Sequence, residues 1–336
     1  MSAGAGVALP SFALRLGLPL PAAGEAPRPL LRAQEARALL ALARGRRVTP
    51  QAQPVGLRAA GDQTAVWRGR GLDYQESRVY QAGDDLRDLH WRLLARTGKP
   101  FIKLYRDEHA ASWHALLDLR AGMRFGTRLR TKAEQAARVV LLAGAAQALA
   151  ADGAAGAMAL TLWRESLQTV DLGRGLAAVR RLAIALQHEQ IAPASDQARD
   201  ADPAAFAAWA QRLARRLPEG SRLLLVTDGA GCDAPDIDAA LWTLRSRAEL
   251  RVALVQDPVE RALPAGLPLA AVRMHDLAQR RGGMLQDAAS AREAFAQRAQ
   301  QHRAALLARW RARGIWPIDA DVGQDEAALL PALGLG

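Results

Sequence analysis

Three short apolar runs in this 336-residue chain each lead to an aspartate: ALLDL at Asp118, LLLVTDG at Asp228 and VALVQDP at Asp257. Polar ligands gather where parallel strands end, so acids at these points can collect in one crevice. Carboxylates placed together can hold a hard divalent cation such as Mg²⁺ through their oxygens. Asp118 with Asp228 could begin a Mg²⁺ site, or a Mg²⁺-dependent hydrolase built on one. Hydroxyls two and four residues after Asp118 would complete it from the same turn, but those positions hold Arg120 and Gly122. A guanidinium so close competes for the carboxylates and repels a cation. The pattern therefore points to a degenerate site, Asp118, Arg120, Gly122 and Asp228, without a metal ion. Asp118 is then salt-bridged or caps the following turn, and Arg120 can pair with both Asp118 and Asp228. Thr127 and Thr131 reach the crevice only if their loop folds back.

Other catalytic patterns are missing from the sequence. It has no G-x-x-x-x-G-K-[ST] phosphate loop and no G-x-S-x-G nucleophile turn. His109 and His114 are not spaced to ligate from one helix face, and Arg120 stands where a phosphoaspartyl enzyme carries its second acid. Cys232 follows TDGAG with no evident base, which suits an inert thiol. No enzymatic set is expected, and no cofactor.

The elements around these acids alternate between strand and helix. WHALLDL precedes a helix in KAEQAARVVLLAGAAQALAADG; further helices are expected at about 174–189, 203–216, 237–248 and 290–313. Continuously apolar strands separated by helices imply a doubly wound, mostly parallel α/β sheet over residues 113–336. The runs GAMALTLW and SLQTVDL, joined at Arg164 and Glu165, read as a hairpin that adds an antiparallel edge strand. In the late helix, Phe295, Leu306 and Trp310 face the core while its arginines are solvated. Ahead of this domain, residues 29–112 hold an N-terminal helix ending at Gly45, with a stripe of Leu31, Ala38, Leu39 and Leu42, and a small β-rich module. Residues 1–28 read as a flexible leader.

The module is the densest constellation. Residues 61–108 carry nine basic and eight acidic residues interleaved with Trp67, Tyr74, Tyr80, Trp91 and Tyr105. TAVWRG, SRVYQ and KPFIKLYR look like strands, and GDDLRDLHWRLLARTG like a short helix capped by Asp84 or Asp85 and ended by Gly98. Balanced charge means ion pairs and arginine–aromatic stacking, not a phosphate-binding stripe. Such a surface either ties the module to the α/β domain or docks a protein partner, since arginine and aromatics are favoured at interfaces.

Here the sequence resembles a bacterial family, domain of unknown function 58. The match runs through Arg68, Gly69, Arg70 and Gly71, then Tyr80, Gly83, Asp84, Asp85, Arg87 and Trp91, then Ala95, Arg96, Thr97 and Gly98. Lys103, Tyr105 and Glu108 continue it, as do Asp257, Pro258 and Glu260 and the late ARGI. The resemblance implies a von Willebrand factor A-like domain preceded by a small β module. It also implies a protein-binding role, as an adaptor beside a MoxR-type AAA+ ATPase in the maturation or assembly of other proteins. Carried onto this chain, the partner-binding residues are Arg68, Arg70, Tyr80, Asp84, Asp85, Arg87, Trp91 and Arg96. The sequence departs from the family twice: the metal-binding Asp-x-Ser-x-Ser is Asp118, Leu119, Arg120, Ala121, Gly122, and the serine before Ala-Arg is Leu94.

A net charge of +11 raises nucleic-acid binding as an alternative. All but Lys99, Lys103 and Lys132 of the 45 basic residues are arginines, a bias that GC-rich coding imposes whatever the function. The excess sits at the arginine-rich ends, around Arg28, Arg32, Arg44, Arg46 and Arg47 and around Arg303, Arg309 and Arg313, rather than in one groove. The lone cysteine fits a reducing cytoplasm. No run of about 18 uncharged apolar residues suggests a membrane span.

Overall fold

The computed structural model describes residues 12–15, 28–46, 74–80, 89–105, 111–127, 130–150, 156–191, 202–264, 273–276, 282–284 and 289–335. In chain order its elements begin with β1 (Phe12–Arg15), β2 (Arg28–Pro29), α1 (Ala33–Arg44), β3 (Tyr74–Val79), α2 (Trp91–Thr97) and β4 (Phe101–Tyr105). Then come β5 (Trp113–Asp118), a 3-10 turn (Ala121–Arg124), α3 (Lys132–Ala150), β6 (Ala157–Trp163), β7 (Leu167–Arg174), α4 (Gly175–His188) and β8 (Gln190–Ile191). The remainder is α5 (Pro203–Ala214), β9 (Arg222–Thr227), α6 (Pro235–Arg245), β10 (Glu249–Leu254), α7 (Pro258–Arg261), β11 (Arg273–Asp276), β12 (Gly282–Met284), α8 (Ala289–Ala312), β13 (Trp316–Asp319) and α9 (Glu326–Leu333). These fall into two compact units, residues 52–110 and the rest.

In the larger unit a six-stranded sheet runs β13-β10-β9-β5-β6-β7. All neighbours are parallel except β6 and β7, which form the expected hairpin at the edge. The doubly wound, mostly parallel sheet read from the sequence is thus the fold. Strand periodicity sends alternate side chains to opposite layers. Trp113, Ala115 and Leu117 of β5 with Leu224 and Val226 of β9 join one core, under α1, α3, α4 and α9. Leu116, Leu223 and Leu225 join the other, with Phe206 of α5, Leu241 of α6 and Trp310 of α8. Helix α3 is buried nearly all round: its mid-section from Val139 to Ala146 is apolar on every face, and Lys132, Gln135 and Arg138 in its first two turns are buried as well.

Helix α1 packs on α3 and so lies with the α/β unit. Its buried face is Ala36, Leu39 and Ala43; Ala38, expected in the stripe, is exposed. The i, i+3, i+7 spacing of the three small and aliphatic residues fits a shallow seat on alanine-rich α3 better than the expected row. In α8, Leu306 and Trp310 are buried as expected and Phe295 is half-buried. Three arginines in or just after it, expected to be merely solvated, are engaged: Arg303 pairs with Asp319, Arg313 with Asp238 at 2.6 Å, and Arg309 donates to the Asp233 carbonyl at 3.2 Å. Among the described residues no helix is long and apolar enough to cross a membrane.

In the smaller unit β3 and β4 pair antiparallel, with Val79 opposite Phe101. The expected strand TAVWRG lies outside the described residues. Helix α2 begins at Trp91, not at Asp84 or Asp85, which also lie outside them. His90 is its cap, with Nδ1 accepting the Leu93 N–H at 3.2 Å. Gly98 ends it as expected, in a left-handed conformation (φ 69°) that lets its N–H reach the Leu94 carbonyl at 2.8 Å.

Candidate functional site

The three acids that end the apolar runs converge because β5, β9 and β10 are parallel neighbours and their carboxyl ends share one edge of the sheet. Asp118 closes β5 and is fully buried. Four donors meet its carboxylate. Oδ1 accepts from the backbone N–H and Nε of Arg120, both at 3.0 Å; Oδ2 accepts from Arg120 Nη2 and the Thr227 hydroxyl, both at 2.7 Å. A carboxylate has about four acceptor positions, so those of Asp118 are taken. The guanidinium lies over the Trp163 ring, 3.8 Å from its centroid, and gives a further hydrogen bond to the Ala230 carbonyl at 2.9 Å. Stacking and bidentate pairing together fix a planar group in one pose.

Asp228 has another cation. The sequence reading paired it with Arg120 as well, but the ion pair it makes is with Lys132, at 2.8 Å. Lys132 opens α3, is 1% exposed, and also reaches Glu260 at 2.6 Å. Burial alone would lower the lysine's pKa, but Asp228 and Glu260 together hold it above the ordinary range. Burial likewise works to raise both acids. The cations Lys132 and Arg120 outweigh it at Asp228, which is lowered, whereas Glu260 is left raised, with the Asp228 charge adding to burial. The Ala230 N–H completes the setting of Asp228 at 3.0 Å.

Asp257 is consumed structurally. It caps α7 through the Val259 N–H at 3.0 Å, while Glu260 reciprocates to the Asp257 N–H at 2.9 Å, a capping box. The loop after the 3-10 turn does fold back: Thr127 donates to Asp257 from its N–H at 2.7 Å and its hydroxyl at 2.5 Å. Thr131 instead bonds Glu134. At Gly122 a Cβ would stand 2.5 Å from Asp228 Oδ2, an oxygen that Lys132 holds in place. That position has no room for a side-chain ligand.

This donor set does not fit a divalent cation. Asp118 is saturated, Asp228 and Glu260 are both tied to the one Lys132 ammonium, and two fixed positive charges line the space between. Among the described residues no three His, Cys, Asp or Glu side chains are grouped to hold a metal. Nor is there a poised nucleophile here: burial pushes the Cys232 thiol up to about 12, so it stays protonated. Lys132 escaped the sequence reading. Its signal was its place, since a cation in the first turn of a helix opposes the macrodipole and needs carboxylates to hold it there.

Of the residues assigned to partner binding, Arg68, Arg70, Asp84, Asp85 and Arg87 lie outside the described residues. Tyr80 is half-buried, and its N–H bonds the Pro100 carbonyl at 3.0 Å. Trp91 is 65% exposed and Arg96 is exposed, both on α2.

Comparison with known proteins places these features in a family. An uncharacterized protein of Mycobacterium tuberculosis, Rv1480, is 37% identical over 68 residues, 20% of this chain and 21% of its own; the chain thus spans about a fifth of the curated relatives it matches. Among solved structures, a conserved hypothetical protein BatB from Bacteroides thetaiotaomicron is similar over 67% of this chain and 96% of its own, at 13% identity and TM-score 0.40. A von Willebrand factor type A protein from Catenulispora acidiphila is similar over 60% of this chain and 44% of its own, at 14% identity and TM-score 0.31. Residues 76–305, most of the chain and all of the crevice just described, match the family of proteins of unknown function DUF58, and the chain belongs to that family.

Proposed function

We propose that this chain is a non-enzymatic protein-interaction module, acting in the cytoplasm as an adaptor with a MoxR-type AAA+ ATPase in the maturation or assembly of other proteins. The observation that carries this reading is the crevice: its acids are spent on internal cations, leaving no group free to activate water or hold a substrate phosphate. Arg68, Arg70, Tyr80, Asp84, Asp85, Arg87, Trp91 and Arg96 form the partner-binding set on this reading. The exposure of Trp91 and Arg96 supports it, since tryptophan and arginine are the side chains that most often anchor interfaces. Asp118, Arg120, Gly122 and Asp228 are then a degenerate metal site, with Arg120 and Lys132 supplying the positive charge.

Co-purification with a MoxR-type ATPase from the same genome tests the partnership. Trp91→Ala combined with Arg96→Glu is expected to cut capture by about tenfold or more while leaving the melting temperature in place. Capture unchanged by both substitutions would remove this surface from the proposal, and no capture of the unaltered chain would remove the ATPase. Metal independence has its own measurement. A bound cation stabilises by mass action, so millimolar Mg²⁺ or Mn²⁺ is expected to leave the melting temperature unmoved, and a clear rise would restore the metal site.

A further inference from the structure

The connection from β10 to α8 is built out far beyond what the fold needs. A strand-to-helix connection in an α/β unit usually takes about 2–6 residues. This one runs over residues 255–288 and carries α7 and a hairpin, β11 with β12, paired antiparallel. The hairpin stands apart from the six-stranded sheet. Its third strand comes from the other end of the chain, from the stretch that the sequence alone reads as a flexible leader. There β1 pairs antiparallel with β11 at four positions: Phe12 with Asp276, Ala13 with His275, Leu14 with Met274 and Arg15 with Arg273. The order β1-β11-β12 leaves β11 in the middle. All three strands lie in the larger unit.

A two-stranded hairpin is marginal in water, and a third strand is what stabilises it. If β1 left, one edge of β11 would present a row of N–H and C=O groups, a template for another strand. The site is thus defined by its backbone: it takes an extended, antiparallel segment in a fixed register. Its occupant hangs on a long connection. Residues 16–27 separate β1 from β2, where pairing with β8 and then the packing of α1 on α3 pin the chain. Those twelve residues reach at most about 40 Å when extended. The strand can therefore meet β11 of its own molecule or of a neighbouring one through the same four positions.

We infer that β11 is a strand-acceptor site, filled within one molecule by residues 12–15 and exchangeable for the same residues of a second copy of this chain. The occupant is set by the register, since the segment that fits is the one already paired there. A swapped pair of molecules makes the same ladder twice, so the two arrangements differ mainly in chain entropy. A short flexible connection gives the strand a local concentration on the order of millimolar. The site is then filled from within at micromolar protein and exchanges as the chain approaches that concentration. The inference is independent of the crevice and of the ATPase.

Two experiments on the full chain test it. Ala13→Cys with His275→Cys puts thiols on an opposed pair, whose Cα separation of about 4.5–5.5 Å suits a disulfide. The natural Cys232 is buried and does not compete. Mild oxidation is expected to give cross-linked monomer at micromolar protein and a growing share of cross-linked dimer near about 1 mM. Leu14→Cys with His275→Cys sends the thiols to opposite faces and should cross-link about tenfold less or worse. In the second experiment, Ala13→Pro with Leu14→Pro releases the strand, because one of two adjacent residues must donate to the ladder. A fluorescein-labelled peptide of residues 9–18, read by anisotropy, should then bind about tenfold or more tighter than it binds the unaltered chain, where β1 competes. No cross-link in the opposed pair, equal cross-linking in the slipped pair, or no dimer at the higher concentration would each overturn the inference. So would a peptide that ignores the proline variant, or one of shuffled order that binds it as tightly.

Discussion

Lys132→Met is expected to be the most damaging single substitution in the crevice, destabilising the α/β unit by about 3–5 kcal/mol, the usual cost of removing one partner of a buried ion pair. The melting temperature would fall on the order of 10 °C. Methionine fills the space of the aliphatic stem, so the loss comes from Asp228 and Glu260 left facing each other without the ion-pair partner they share. Two accompanying results separate this cause from mere repacking. First, Glu260→Gln added to Lys132→Met should recover part of the stability, because it removes one of the orphaned charges. Second, the variant should gain stability relative to the unaltered chain as the pH is lowered from 7 to 5. Without the ammonium, Glu260, already raised by burial and by the Asp228 charge, would rise further above its unfolded pKa, and Asp228 would lose the larger of the two cationic influences that hold it down. A group raised in this way stabilises below its unfolded pKa and loses that contribution as the pH rises through the folded pKa. A single-variant cost under about 1 kcal/mol would mean that water reaches both carboxylates, and that the crevice is not dry.

That the ammonium matters so much also explains what the sequence could and could not disclose. The sheet was legible because ALLDL, LLLVT and VALV are short, apolar on both faces and separated by helix-length segments, a combination that few other architectures accommodate. The hairpin at Arg164 and Glu165 was legible for the same local reason. The pairing of Arg120 with Asp118 was legible too, since the two residues stand two apart at a strand end. Partners distant in sequence were not. Lys132 lies 96 residues before Asp228 and 128 before Glu260, and only the parallel order of β5, β9 and β10 brings these three together. The start of α2 was misread for the opposite reason. Asp84 and Asp85 are good caps in isolation, but His90 is tied to the Phe101 carbonyl on β4 through its N–H, at 2.7 Å, which sets where the helix can begin.

The second large effect lies on the other face of the sheet. His114, near the start of β5, is 5% exposed, and burial pushes its pKa down to about 4. Its Nε2 shares a hydrogen bond with the Thr161 hydroxyl at 2.7 Å, that hydroxyl meets Thr169 at 2.7 Å, and Trp209 packs edge-on with ring centroids 5.9 Å apart. All these neighbours are neutral, so nothing there stabilises an imidazolium. The unfolded chain takes up the proton near the ordinary value of about 6.5, whereas the folded chain does not until about 4. The folded pKa is the lower one. The histidine's contribution is therefore complete above pH 6.5 and is lost as the pH falls toward 4, because the unfolded state binds more protons through that window. The loss should reach about 2 kcal/mol between pH 7 and pH 5, and about 3 kcal/mol by pH 4. Urea denaturation across this range, with His114→Gln alongside, isolates the effect: the glutamine can keep a hydrogen bond to Thr161 but has no proton to gain, so its stability should vary about 2 kcal/mol less between the same two pH values. Parallel profiles for the two proteins would show that the imidazole is protonated, or wet, in the folded state. Titration of the His114 ring resonances, followed down to pH 4 in the folded protein, would then locate the proton directly.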